Sequence, residues 1–144
     1  MRQISIALVL FTTITCLAAS FRATAAGEDY EIQRIAFNST FLDSEIARRY
    51  GITRAENLAL VNVSVQRGDV IGVGVPARVT GSANNLMHQV KTLEFREIRE
   101  ENAIYYIAPL RFDDGDTLTF KLDIVIEGET RPRQVQWQQK FWKQ

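Results

Sequence analysis

The sequence offers almost no thiol or imidazole chemistry. Its 144 residues include one cysteine, Cys16, and one histidine, His88. A disulfide scaffold needs paired sulfurs and a Cys/His zinc centre needs three or four converging ligands, so both are excluded. Neither charge is in surplus, since 17 Lys and Arg residues balance 17 Asp and Glu residues. That balance argues against a nucleic-acid binder, which carries a positive excess to displace counterions from phosphates. The sequence also lacks an apolar run long enough to cross a bilayer: residues 4–19 are mostly apolar but are interrupted by Thr12, Thr13 and Thr15 and fall short of the roughly 20 residues required. What is present is a globular composition, 46% apolar and 24% charged, at the length of one ordinary domain. A largely disordered chain, a collagen-like repeat and a polytopic membrane protein are excluded.

The first 26 residues differ from the rest. Arg2 opens a short basic segment, an apolar stretch follows through Ile6, Leu8, Val9, Leu10 and Phe11, and small residues close it at Ala23, Thr24, Ala25 and Ala26. The pattern predicts a secretory signal peptide over residues 1–25, cleaved at Ala25 and Ala26, with one mature domain over 26–144 and no stable membrane insertion after cleavage. A lipoprotein signal would place a small residue before the cysteine and a Leu three before it, whereas Cys16 follows Thr13, Ile14 and Thr15. Cys16 therefore leaves with the signal, as do Arg2 and Arg22, so the mature chain carries a charge of about −2 and no thiol. It must fold on a hydrophobic core alone, and at its size a single domain buries about two-thirds of its unfolded surface.

The mature sequence reads as strands. Residues 30–37 are apolar and aromatic, and Asn38-Ser39-Thr40 ends them with side chains that bond nearby backbone. One short helix is expected near residues 44–50, capped by Asp43 or Ser44, with Arg48 and Arg49 in its last turn and Gly51 at the left-handed position after it. From Leu58 to Gln66, Ala59, Val61, Val63 and Val65 alternate with Asn62, Ser64 and Gln66, which predicts a strand with one wet face. Arg67-Gly68-Asp69 makes a turn before the β-branched stretch Val70 to Val75, and Pro76 marks an edge or break. Residues 89–99 and 103–108 are expected to pair as a hairpin. Leu118, Phe120, Leu122, Ile124 and Ile126 give the clearest alternation, and a last strand places Val135, Trp137, Gln139 and Phe141 on one side. About seven closely spaced strands with one small helix and no βαβ rhythm predict an all-β antiparallel sandwich.

Several of these segments carry a resemblance. Ala36-Phe37-Asn38-Ser39-Thr40-Phe41-Leu42, Tyr50-Gly51-Ile52, Leu60-Val61-Asn62-Val63-Ser64-Val65, Leu93-Glu94-Phe95-Arg96-Glu97-Ile98-Arg99-Glu100, Ala103-Ile104-Tyr105-Tyr106-Ile107-Ala108 and Gln138-Gln139-Lys140-Phe141 closely resemble the bacterial domain-of-unknown-function family numbered 4426. The resemblance covers nearly all of the mature chain and departs at Trp142, where a Tyr is expected. It implies a small exported protein of the Gram-negative periplasm with an immunoglobulin-like β-sandwich. It implies no catalytic residue.

Candidate chemistry is sparse. The acidic turn Asp113-Asp114-Gly115-Asp116 offers hard oxygens to Ca²⁺ but lacks a twelve-residue loop with a closing Glu, and Asp-Gly is ordinary turn chemistry. His88 has no second ligand and no Gly-x-Ser-x-Gly elbow to serve. Glu94, Glu97, Glu100 and Glu101 supply carboxylates for a glycosidase pair, yet Glu94 alternates outward from Leu93 and Phe95. Arg67-Gly68-Asp69 matches an adhesion tripeptide and reads as a turn. Asn38-Ser39-Thr40 and Asn62-Val63-Ser64 fit a glycosylation sequon that a bacterial envelope protein does not normally use. Exposed aromatics favour partner or sugar contact. Trp142, Tyr105 and Asn38 are accordingly the ligand-binding candidates: Trp142 points away from Trp137 and Phe141, Tyr105 away from Tyr106, and Asn38 sits at a strand-to-helix corner. No motif calls for a cofactor. The expectation is a non-enzymatic binding module for another envelope protein, acting through a sheet face or an exposed edge. The rival is a small carbohydrate-active hydrolase or sugar-binding protein whose carboxylates converge only in the fold.

Overall fold

Period-two alternation builds most of the structure. A computed structural model describes residues 29–144; the expected signal segment, with Cys16 and the cleavage position at Ala25 and Ala26, lies outside the described residues. Over β8 (Thr117–Ile126) the five alternate residues Leu118, Phe120, Leu122, Ile124 and Ile126 are all buried. In β2 (Leu58–Arg67), Ala59, Val61, Val63 and Val65 have no exposed surface. These strands lie inside two antiparallel sheets whose inner faces form one core.

In the first sheet β1 (Tyr30–Asn38) pairs with β2, β2 with β7 (Ala103–Arg111) and β7 with β6 (Arg96–Glu100), while β3 (Val70–Gly74) pairs with the far end of β2. The second sheet runs β5 (Val90–Leu93), β4 (Ala77–Asn84), β8 and β9 (Arg133–Lys140). The expected antiparallel β-sandwich is the fold, with nine strands among the described residues rather than about seven.

Two local features account for the extra strands. Val75 and Pro76 separate β3 from β4, so residues 70–84 contribute to both sheets. Residues 89–99, expected as one strand, change sheets at Glu94 and Phe95. Arg96–Glu100 forms the anticipated hairpin with β7, Arg96 opposite Ile107 and Glu100 opposite Ala103, whereas Val90–Leu93 pairs with β4. Leu93 is buried and Phe95 packs on the core, so alternation continues unbroken through the switch. On the other side the edges β1 and β9 are joined across the sheets. Gln139 Nε2 donates to the Ala36 carbonyl (2.8 Å), Asn38 Nδ2 donates to the Trp142 carbonyl (2.6 Å), and the Arg34 guanidinium lies 5.3 Å from the Trp137 ring centre.

Between β1 and β2 the chain leaves the sheet. A 3-10 turn (Ser39–Phe41) leads to α1 (Ser44–Arg49), capped by Asp43 Oδ1, which accepts from the N–H groups of Glu45 and Ile46. Gly51 follows at φ +60°, where a side chain would be strained. This strap, residues 39–57, folds back over the outer face of the first sheet. No helix among the described residues is long and apolar enough to cross a membrane.

Candidate functional site

The outer face of the first sheet is not the wet surface that Asn62, Ser64 and Gln66 suggest. Leu58 and Leu60 share their phase, and Leu60 is 1% exposed; Ser64 is also buried. The strap covers this end of the face. Its two ends are fastened by Ser39, whose fully buried hydroxyl donates to the Ala55 carbonyl (3.1 Å) and accepts from the Ala55 N–H (2.9 Å).

Between strap and sheet lies a groove of about 480 Å³, within the range of ordinary ligand pockets. Leu60, Ile107 and Pro109 form its floor and Ile52 its wall, and no carboxylate lines it. Arg96 and Arg111 flank the floor. Arg96 stands on β6 opposite Ile107, and Arg111 ends β7 opposite Leu58. From Ile107 to Arg111 the strand advances about 13 Å at about 3.3 Å per residue, so the arginines bracket an apolar stretch.

Both guanidiniums meet neutral oxygens. Arg96 Nη2 donates to the Tyr50 carbonyl (2.6 Å), and Arg111 Nη1 donates to Asn57 Oδ1 (3.2 Å). The ion pairs found among the described residues lie elsewhere: Arg49 with Glu45, Arg67 with Asp69, Arg99 with Glu97 and Arg133 with Glu129. Lys91 adds charge at the Arg111 end, its ammonium donating to the Arg111 carbonyl (2.8 Å). Past the groove the face is mixed, with Ile35, Ile98 and Tyr105 set among Gln33, Ser64, Glu31 and Gln66. Ile35 is 56% exposed and lies opposite Asn62, whose Oδ1 is buried without a partner, while Ile98 and Tyr105 pair on β6 and β7.

The residues singled out in the sequence do not form one site. Asn38 and Trp142 meet through the Trp142 carbonyl at the sandwich end; Asn38 is buried, and Trp142 is 52% exposed with the Lys140 ammonium 4.2 Å from its ring centre. Tyr105 is half-buried on the outer face of the first sheet and lines a shallow depression with Glu100 and Glu101. Glu94 is exposed at the sheet switch. Glu97 accepts from Arg99 Nε (2.6 Å) and from the Tyr106 hydroxyl (3.2 Å); the Arg99 hydrogen bond chiefly holds its carboxyl below the usual range. Burial in turn pushes the Tyr106 hydroxyl up.

The remaining motifs serve loops. In the acidic turn Asp116 Oδ2 accepts from the Asp113 N–H and Asp114 Oδ1 from the Lys143 N–H. Among the described residues no three His, Cys, Asp or Glu side chains group as a metal site. His88 is exposed at φ 62° in a loop that Asn85 organises by accepting from the Met87 and Gln89 N–H groups. Arg67-Gly68-Asp69 is a turn, its Gly68 N–H donating to the Asp29 carbonyl (2.6 Å). Sequence reasoning missed the groove. The available signal was Leu58 and Leu60, apolar residues in the polar phase of β2; the arginines become neighbours of one floor only through strand register.

Comparison with known proteins places the chain among relatives. A family model described as "Domain of unknown function (DUF4426)" matches residues 25–144. The crystal structure of a DUF4426 family protein from Pseudomonas aeruginosa is similar at 31% identity and TM-score 0.70, covering 81% of this chain and 90% of that one. FetP from uropathogenic Escherichia coli strain F11, expressed in the periplasm of its host, is similar in fold at 10% identity and TM-score 0.56, covering 81% and 91%. A copper-bound variant of FetP gives TM-score 0.58 at 10% identity, covering 81% and 92%. Among curated proteins none matches the sequence.

Proposed function

The chain belongs to the DUF4426 family, and from that premise we propose that it is an exported, non-enzymatic periplasmic module that binds another envelope protein through the outer face of its first sheet. The observation that carries this reading is the groove, a concave site with an apolar floor and no carboxylate in its lining. Residues 1–25 support export, and the family match begins at residue 25, where the expected signal ends.

The edges β1, β9, β5 and β6 are poorer docking places than the face. β1 and β9 are tied to each other, β5 has four residues, and β6 carries Arg96, Glu97, Arg99 and Glu100 on a five-residue strand. Short and charged edges oppose strand addition. The hydrolase reading fares worse: Glu100 and Glu101 are both exposed beside the Tyr105 depression, whereas a general acid wants a carboxyl in an apolar pocket.

Affinity capture from envelope extracts tests the proposal, using the wild-type protein and a Pro109→Glu variant that charges the groove floor. A protein recovered by the wild type and lost with the variant is expected. Equal recovery by both, or none above a bead control, would count against it.

A further inference from the structure

We propose that the groove receives an extended partner segment presenting two acidic side chains four residues apart with an apolar side chain midway between them. This rests on reading the outer face as the binding surface and adds the chemistry of its occupant. In an extended chain, residues i, i+2 and i+4 point to one side, and four residues span about 13 Å, the advance along β7 from Ile107, opposite Arg96, to Arg111. The outer two positions meet Arg96 and Arg111, and the middle one meets Pro109, exposed on the floor midway between Ile107 and Arg111.

The charge pattern commits the site to an anionic occupant. Each guanidinium has five N–H donors, and here each makes one hydrogen bond to a neutral oxygen, leaving donors for a carboxylate in the paired geometry that arginine favours. No acidic side chain lines the groove to oppose them. A fatty acid, with one carboxylate at the end of an apolar tail, satisfies one arginine and leaves the other in water. An acidic, apolar, acidic segment satisfies both.

The test uses protein expressed from the full chain and fluorescein-labelled Glu-Thr-Leu-Thr-Glu, with Gln-Thr-Leu-Thr-Gln as control and dodecanoate as competitor. Anisotropy should show saturable binding of the acidic peptide, about tenfold tighter than the control and weakened about tenfold by either Arg111→Gln or Arg96→Gln. Arg111→Lys should retain part of it. Both arginines are exposed, and a thermal melt of each variant confirms its fold. Equal affinity for the two peptides, binding unaffected by both Gln variants, or dodecanoate binding without acidic-peptide binding would overturn the proposal. Peptide failure alongside a partner captured in a Pro109-dependent manner removes only the acidic occupant and leaves the reading of the face standing.

Discussion

The Tyr106 hydroxyl accepts a hydrogen bond from the Ala77 backbone N–H at 2.7 Å, joining β7 of one sheet to the start of β4 in the other. Its own proton goes to Glu97 Oε2 (3.2 Å), so a buried ring in the core carries a polar tip that is used twice. Val75 and Pro76 leave the first sheet there, and the Ala77 N–H would otherwise have to find another acceptor.

Tyr106→Phe keeps the ring and removes the acceptor. Leaving the partly buried Ala77 N–H unpaired should cost about 1–2 kcal/mol, read as a lower urea midpoint with unchanged slope. An unchanged midpoint would contradict the role given to the hydroxyl.

Acid should weaken the fold through two carboxylates. Glu97 is held below the usual range mainly by the Arg99 hydrogen bond, and Glu129 by Arg133, which donates at 2.7 and 3.1 Å. Because their folded pKa values lie below the unfolded ones, this stabilisation is complete above the ordinary carboxylate range and vanishes as pH falls through the folded values. The urea midpoint should drop as pH falls below the ordinary carboxylate range, and the double variant Glu97→Gln/Glu129→Gln should drop less. At alkaline pH the sign reverses: the raised Tyr106 hydroxyl stabilises the fold below the usual tyrosine range, and that contribution is lost above it. Tyr106→Phe should remove this alkaline component, and identical pH profiles for variant and wild type would refute it.

Ser39→Ala tests the strap. Its hydroxyl both donates to and accepts from Ala55, and removing it should cost about 1–3 kcal/mol. Amide exchange should quicken at Ile52 and Thr53, which line the groove, more than in β8. Uniform quickening across the sandwich would mean that the strap is not a separately fastened unit.

Gly81→Ala should destabilise despite the gain in backbone stiffness. A Cβ there would collide with the Lys121 carbonyl and the Leu122 side chain on β8, and overpacking of this kind costs about 1–3 kcal/mol. A variant as stable as the wild type would show that β4 and β8 yield more easily than their contact implies.

How far the sequence could be read follows from the same contacts. β8 is legible because one face is buried and the other largely solvated, and α1 because Asp43 caps it and Gly51 ends it. β4 is hard to see because Gly81, Ser82 and Ala83 show no strong alternation, and Gly81 is small to admit β8. The sheet switch after Leu93 leaves no mark, since Leu93 and Phe95 both turn inward on either side of it. The groove is half visible in Leu58 and Leu60, but Arg96 and Arg111 are 15 positions apart in the chain and share a floor only through pairing with Ile107 and Leu58. Asn38, Tyr105 and Trp142 are conspicuous as residue types, yet Asn38 binds its own chain's terminus while Tyr105 lies on a different surface.

The most direct test of the outer-face account is site-specific photo-cross-linking in the native envelope, with a benzophenone side chain at Pro109 on the groove floor and, as control, at Gln136, exposed on β9 of the second sheet. The account predicts a discrete protein adduct from position 109 that the Arg96→Gln/Arg111→Gln background diminishes, and none from position 136. An adduct from position 136 alone, or the same adduct from both positions, would contradict it.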